Sequence, residues 1–118
     1  MDNQIKQKLP TQEYCSKCAS PVTIKIPKGD NRHRAVCTTC GSIFYENPKV
    51  VSGCLLTWND KILLCKRATE PRSGFWTLPA GFLENNETVE AGALRETYEE
   101  AGAKTKQIEL FLMCNLPH

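Results

Sequence analysis

The sequence lacks any stretch approaching the ~18 consecutive apolar residues of a membrane helix. Its start, Met1-Asp2-Asn3-Gln4-Ile5-Lys6, holds no apolar run, so no signal peptide is expected. It also lacks a strong charge of either sign. The formal charge is +2, too small to argue by itself for a nucleic-acid partner. Internal repeats and low-complexity segments are missing as well. With 41% hydrophobic and 24% charged residues in 118, the balance is that of one ordinary folded domain, or a small domain plus part of another, and excludes a disordered tail or a fibrous repeat.

Charge and cysteine are unevenly spread. Residues 1–47 hold seven Lys/Arg against four Asp/Glu, and residues 48–118 hold eight against nine. Of seven cysteines, Cys15, Cys18, Cys37 and Cys40 form two Cys-x-x-Cys pairs, while Cys54, Cys65 and Cys114 lie among apolar neighbours as core residues do. Free thiols in this number suggest a reducing compartment, and the cytoplasm is the expected location.

The two pairs are separated by eighteen residues. Two thiolates three positions apart on a tight turn reach one ion, and two such turns supply the tetrahedral sulfur set that Zn²⁺ accepts. A site closed by four soft ligands is structural, not catalytic. A module of this size buries too little apolar surface to fold unaided, so metal binding would be its folding energy. Two disulfides or a redox pair are the alternatives, but no thioredoxin-like helix follows either pair. Residues 14–46 resemble a zinc ribbon. Cys37-Thr38-Thr39-Cys40-Gly41 fits a ribbon knuckle; in the first knuckle Ala19 replaces the usual glycine, which predicts a less tight turn. Val22, Ile24 and Ile26 alternate with polar residues before the turn Lys28-Gly29-Asp30-Asn31, which predicts one hairpin. Lys25, Lys28, Arg32, His33 and Arg34 on that hairpin read as a solvated polar face. A phosphate- or RNA-contacting surface is the alternative, and the absence of interleaved aromatics weighs against it. Residues 1–13, polar and aperiodic, read as a mobile arm.

Beyond Pro48, Val50 to Thr57 and Lys61 to Lys66 are apolar runs joined by a turn at Trp58-Asn59-Asp60, which predicts a second hairpin. Residues 68–86 read as loop. A helix is expected over about Thr88 to Ala101, with Glu87 and Glu90 near its N-terminus and Gly102 as C-terminal cap. Ile108 to Cys114 reads as a final strand. At about 100° per residue, Glu96, Glu99 and Glu100 share one arc of the helix, and Ala91, Leu94, Tyr98 and Ala101 share the opposite, predicted buried, side. Like charges on such neighbours repel by about 2.8 kcal/mol per pair at ~6 Å. No lysine lies between Arg67 and Lys104 to compensate them. A divalent, oxygen-loving cation such as Mg²⁺ or Mn²⁺ would; a merely solvated acidic face is the bland alternative.

Gly81, Glu87, Arg95, Glu96, Glu99, Glu100 and Gly102 together make a 22-residue pattern with seven fixed identities. The segment from Gly81 to Ala103 resembles the signature box of the Nudix hydrolases, with Thr97 and Ala103 standing where bulky aliphatics are usual. With the ribbon in front, the chain resembles zinc-ribbon Nudix proteins of the FAD and ADP-ribose pyrophosphatase type. Glu46-Asn47-Pro48-Lys49-Val50-Val51, Leu64-Cys65-Lys66-Arg67 and Gly74-Phe75-Trp76-Thr77-Leu78-Pro79-Ala80-Gly81 look similar too.

The resemblance implies an α/β (α+β) architecture. A Nudix α/β/α sandwich over residues 47–118, incomplete at its C-terminal end, would follow the ribbon. It implies Mg²⁺ or Mn²⁺ on Glu96, Glu99 and Glu100 with the backbone carbonyl of Ala80, and a Glu87–Arg95 ion pair fixing loop and helix in register. The catalytic set is then Glu87, Arg95, Glu96, Glu99 and Glu100. Arg67 and Arg72 would hold diphosphate oxygens, and Trp76 or Phe75 would pack on a ring, against the plainer readings of a core Trp76 and a solvated Arg72. The implied reaction is metal-dependent hydrolysis of a nucleoside diphosphate derivative, with a small-molecule nucleotide as substrate. No membrane and no nucleic acid are expected as partners, and a homodimer is the assembly that the resemblance suggests. An NADH or RNA-cap substrate, or a non-catalytic nucleotide-sensing regulator, are the alternatives. Cys114-Asn115-Leu116-Pro117-His118 reads as a cut inside a hairpin, so the expectation is a truncated domain whose general base and much of whose pocket lie past residue 118.

Overall fold

The computed structural model describes residues 7–106 and 108–116. The chain divides into two compact units at Pro48 and Lys49.

The first unit is a three-stranded antiparallel sheet of β1 (Thr23–Lys25), β2 (Arg34–Val36) and β3 (Ile43–Phe44), in the order β1-β2-β3. Ile24 opposes Ala35, and Ala35 opposes Phe44. Gly29, at φ 84°, makes the β1–β2 turn, and the Asp30 carboxylate fastens it by accepting from the Asn31 and Arg32 amides and the Arg34 guanidinium. Ala35, Val36, Cys37 and Cys15 form the small core. The expected hairpin is present, and β3 is an addition to it. Two residues of strand are too short to show a period in sequence. Residues 1–6 of the expected arm lie outside the described residues. From Gln7 on, the chain is bonded to the sheet: the Gln7 side-chain amide donates to the His33 carbonyl and accepts from the His33 amide, and the Val22 amide donates to Glu13.

The second unit opens with β4 (Val51–Gly53), β5 (Thr57–Trp58), β6 (Lys61–Ile62) and β7 (Cys65–Lys66), followed by β8 (Trp76–Thr77), β9 (Ala80–Phe82) and the helix α1 (Val89–Ala101). β5 pairs with β6 across Asn59 and Asp60, whose φ of 47° and 60° suits a tight primed turn. Trp58 therefore belongs to a strand and not, as expected, to the turn. β7 pairs with β8, and β4 pairs with β9. Two strands thus lie inside residues 68–86, which the sequence reads as loop. Both are short, and prolines flank them. Pro79 fits because its carbonyl accepts from the Cys54 amide while its missing N–H is not needed.

Thr88 caps α1 by accepting from the Ala91 amide, and Gly102, at φ 63°, closes it with its amide on the Tyr98 carbonyl. The helix packs on β4 and β9. Its buried residues are Gly92, Ala93 and Thr97, which corrects the expected face of Ala91, Leu94, Tyr98 and Ala101; Tyr98 is 54% exposed. Small residues win because they let backbones approach. A Cβ on Gly92 would press on Leu83, Glu87 and Ser52. Thr97 is tolerated there because its hydroxyl donates to the Ala93 carbonyl. The expected strand over Ile108 to Cys114 is also corrected. Its described residues pair with no strand, and Leu110, Phe111, Leu112 and Met113 are exposed. Alternation prepares faces for a strand, but only a partner ladder makes one. Among the described residues no helix is long and apolar enough to cross a membrane.

Candidate active site and metal centres

The two cysteine pairs sit on matching knuckles. The Ala19 amide donates to the Cys15 carbonyl at 2.9 Å, as the Gly41 amide does to Cys37 at 2.8 Å. Ala19 adopts φ 63° beside 79° at Gly41, so the first turn is as tight as the second, contrary to expectation. The alanine accepts a left-handed backbone at a cost of roughly 1 kcal/mol. The four sulfurs lie within 4.8 Å of one another, with Cys15 to Cys40 at 3.6 Å and Cys18 to Cys37 at 3.5 Å. Sulfurs held ~2.3 Å from a central zinc would stand about 3.8 Å apart, whereas disulfide sulfurs sit at ~2.05 Å. The set fits a tetrahedral thiolate-bound ion. Its surroundings favour thiolate on the outer side. The Ser42 hydroxyl, 3.1 Å from Cys40 Sγ, and the Ser42 amide bring the Cys40 thiol down to about 6. Ser20 lowers Cys18 in the same way, while burial raises Cys15. Amides of Lys17 and Cys40 point at Cys15 and Cys37 Sγ at 3.4 and 3.5 Å.

The second site is built where β9 runs into α1. Arg95 is its hub. Its Nη2 and Nε grip the two Glu87 oxygens at 2.7 and 3.0 Å, its Nη1 reaches Glu96 at 2.7 Å and Glu99 at 3.1 Å, and Nη2 also donates to the Phe82 carbonyl at 3.1 Å. Glu96 and Glu99 are thus partly compensated, contrary to the expectation from spacing, because a helical arginine one residue from Glu96 and four from Glu99 lies between them. That single guanidinium is shared with Glu87 and does not reach Glu100, so the cluster keeps a net negative charge. Glu87 is held down to about 2, first by Arg95 and then by the Glu84 amide, and Arg95 is raised in turn. A bidentate guanidinium clamp of this sort fixes the loop between β9 and α1 to the helix.

Glu96 lies on the packed side of α1, its side chain 14% exposed, against Gly81. A Cβ at Gly81 would fall on the Glu96 carboxylate, so glycine is required there for the acid to sit where it does. Glu100 accepts from the Ala80 amide at 3.2 Å. Cys54 bonding to Pro79 and Leu83 to Val50 make Gly53–Ala80 a non-hydrogen-bonded pair in the β4–β9 ladder. Ala80 therefore turns both its N–H and its C=O away from β4, towards the side where Glu100 lies. Oxygen donors from Glu96, Glu99, Glu100 and the Ala80 carbonyl are a hard-ligand set suited to Mg²⁺ or Mn²⁺. Arg67, Arg72 and Trp76 belong to the separate β7–β8 hairpin. Arg67 Nε donates to the Pro71 carbonyl at 2.7 Å, bracing the connecting loop; Arg72 is exposed at φ 62°. Trp76 is 64% exposed with Lys66 6.0 Å from its ring, so it is not a core residue here.

β4 contributes residues that the sequence reading missed. Gly53 leaves room for Pro79 and Ala80, and Ser52 presents a buried hydroxyl without a partner among the described residues, against the helix at Gly92. A lone serine and glycine in an apolar run carry no local signal of this.

Residues 13–46 match the family description Nudix N-terminal, a Nudix zinc ribbon, and residues 47–115 match the NUDIX domain. A protein of Chromobacterium violaceum named NAD-capped RNA hydrolase NudC is 31% identical over 106 residues, covering 89% of this chain and 38% of that protein. Its namesake in Photobacterium profundum is 32% identical over 111 residues, covering 92% and 39%. An ADP-ribose pyrophosphatase of Methanocaldococcus jannaschii is 43% identical over 58 residues, covering 49% and 34%. The chain spans about two fifths or less of the length of these relatives. The crystal structure of a NUDIX hydrolase from Nitrosomonas europaea matches with a TM-score of 0.73 at 54% identity, covering 79% of this chain and 53% of that one. Since the NUDIX match alone takes in more than half of the residues, and includes the turn and helix that carry the arginine clamp, the chain belongs to the Nudix hydrolase family.

Proposed function

We propose that this chain carries the metal-binding part of an enzyme that hydrolyses the pyrophosphate bond of a dinucleotide-type nucleoside diphosphate. The observation that carries the reading is the placement of the Glu96 carboxylate against Gly81, with Glu99 on the same guanidinium and Glu100 on the Ala80 amide. Glu96, Glu99 and Glu100, with the Ala80 carbonyl, would hold Mg²⁺ or Mn²⁺. Such a cation supplies charge for the diphosphate oxygens and lowers the pKa of water. Glu87 and Arg95 orient the helix against the loop. Arg67 and Arg72 meet phosphate oxygens, with Trp76 offering a ring for stacking. The ribbon cysteines hold a structural Zn²⁺.

Two substrate classes have support. The relatives that cover most of this chain are named for NAD-capped RNA, and one that covers half of it for ADP-ribose. The NAD type therefore stands ahead of FAD, and the relatives' names weigh against the expectation that nucleic acid is no partner. The test is a panel of NADH, NAD-capped RNA, ADP-ribose and FAD with Mg²⁺ or Mn²⁺, scored by release of a nucleoside monophosphate. Glu99→Gln is expected to lower the rate by about a hundredfold or more. Turnover that survives the substitution undiminished would remove the metal-ligand assignment.

A further inference from the structure

The ribbon carries a second surface that the proposed hydrolysis does not use. In sequence, its cations stand without an aromatic among them. The third strand supplies one. Lys25 opposes Arg34 across β1 and β2, and the β2–β3 register, Ala35 to Phe44 and Val36 to Ile43, brings the next residue, Tyr45, alongside Arg34. The Arg34 guanidinium lies 5.0 Å from the Tyr45 ring centroid. Lys25 on β1, Arg34 on β2 and Tyr45, the residue just past β3, thus form one row. Directly opposed residues share a face, so this row is on the side opposite to Ile24, Ala35 and Phe44. Thr23 and Ile43, both exposed, lie beside it on the same face, with the buried Val36 between them, so the open part of the face is the row itself and its hairpin end. Tyr45 itself is 58% exposed.

The row is charged as well as aromatic. Lys28 and Arg32, both exposed, stand at the hairpin end next to Lys25 and Arg34. Residues 25–34 hold four Lys/Arg against one acid, Asp30. That acid is used inside the turn, where it bonds two backbone amides and holds the Arg34 side chain in place at 2.9 Å. Asp30 thereby fixes the guanidinium over the ring. Glu46, the next acid along, accepts from the Thr11 amide.

We propose that this face binds single-stranded nucleic acid. An exposed ring flanked by cations on a sheet is the chemistry that recognises base faces and phosphates together. Tyr45 stacks a base on the side of its ring not taken by Arg34. Lys25, Lys28 and Arg32 meet the phosphates. A protein partner would gain less from it, because the row has one aromatic and little apolar surface.

The experiment uses the zinc-loaded chain and fluorescein-labelled ten-residue oligouridine and oligothymidine, read by anisotropy at two salt concentrations. Saturable binding that weakens with salt is expected. Tyr45→Ala weakens it about tenfold while Tyr45→Phe retains it, and Lys25→Gln lowers the salt slope by about 0.7. Zinc content and circular dichroism report whether each variant keeps the ribbon. Should Tyr45→Ala lose it, photo-crosslinking of a 4-thiouridine oligomer to the unaltered chain decides: adducts on residues 23–45 support the face, and adducts confined to residues 49–116 overturn it. Absent binding at low salt, binding indifferent to both Tyr45→Ala and Lys25→Gln, or equal affinity for a duplex would each overturn the proposal. Because the readout is binding, loss of hydrolysis in Glu99→Gln leaves this test unaffected.

Discussion

In the ribbon, four sulfurs stand within 4.8 Å of one another on two backbone knuckles, whereas beside α1 the carboxylates of Glu96 and Glu99 are drawn to Arg95 at 2.7 and 3.1 Å. The difference lies in what each ligand carries. Thiols are neutral until they ionise, and the outer pair is steadied as thiolate by the neighbouring Ser20 and Ser42, so knuckle turns and local hydrogen bonds bring the sulfurs together. Carboxylates at neutral pH are charged, and a cluster of them needs a positive centre. The ribbon site is therefore shaped by local turns, and the helix site by side-chain electrostatics. The two units should respond differently to the same perturbation.

The largest expected effect comes from chelating the metal. A structural zinc contributes on the order of 10 kcal/mol to a small module. Chelator, or Cys37→Ser, should abolish the ribbon's ordered amide signals in an NMR spectrum while those of α1 persist. Signals from both units lost together would break the contrast. Next is Gly81→Ala. The new methyl meets the end of the Glu96 side chain, not backbone, so the chain should keep its melting temperature. Displacing that carboxylate should still lower turnover by roughly tenfold or more. A variant that unfolds instead would mean that the packing of β9, and not the placement of the acid, requires glycine.

A third test concerns the clamp. Glu87 is depressed to about 2 from 4.5, so its contribution to stability is fully present above the ordinary value and is lost as pH falls from about 4.5 towards 2. Thermal melts should show this acid-side loss in the native chain and a shallower one in Glu87→Gln. Equal slopes would show that the clamp does not stabilise the folded state. The smallest effect sharpens the comparison of the two knuckles. Ala19→Gly removes a left-handed alanine and should stabilise the zinc-loaded ribbon by up to about 1 kcal/mol in a denaturant melt. Destabilisation would mean that the Ala19 methyl contributes packing.

The cysteine spacing already determined the knuckles, and the local sequence determined α1 and its Gly102 cap, because these depend on neighbours within a turn or two of chain; that Thr88 is the N-cap and not the first helical residue came from the structure. The Glu87–Arg95 pair was implied only by the family resemblance that the box from Gly81 to Ala103 carries, and the ion pair stands at 2.7 Å. Tertiary structure decided the rest. Which face of α1 is buried followed from Gly92 meeting Ser52 and Leu83 and from Ala93 lying against Cys54, residues that are informative only in contact. It also decided that Glu96 lies on that packed side and that Ile108 to Cys114 forms no ladder. Tyr45 meets Arg34 only through the β2–β3 register. Short-range pattern encodes turns and helix ends, but which face of a helix is buried and the partner it meets are chosen by long-range packing, and no local pattern records them.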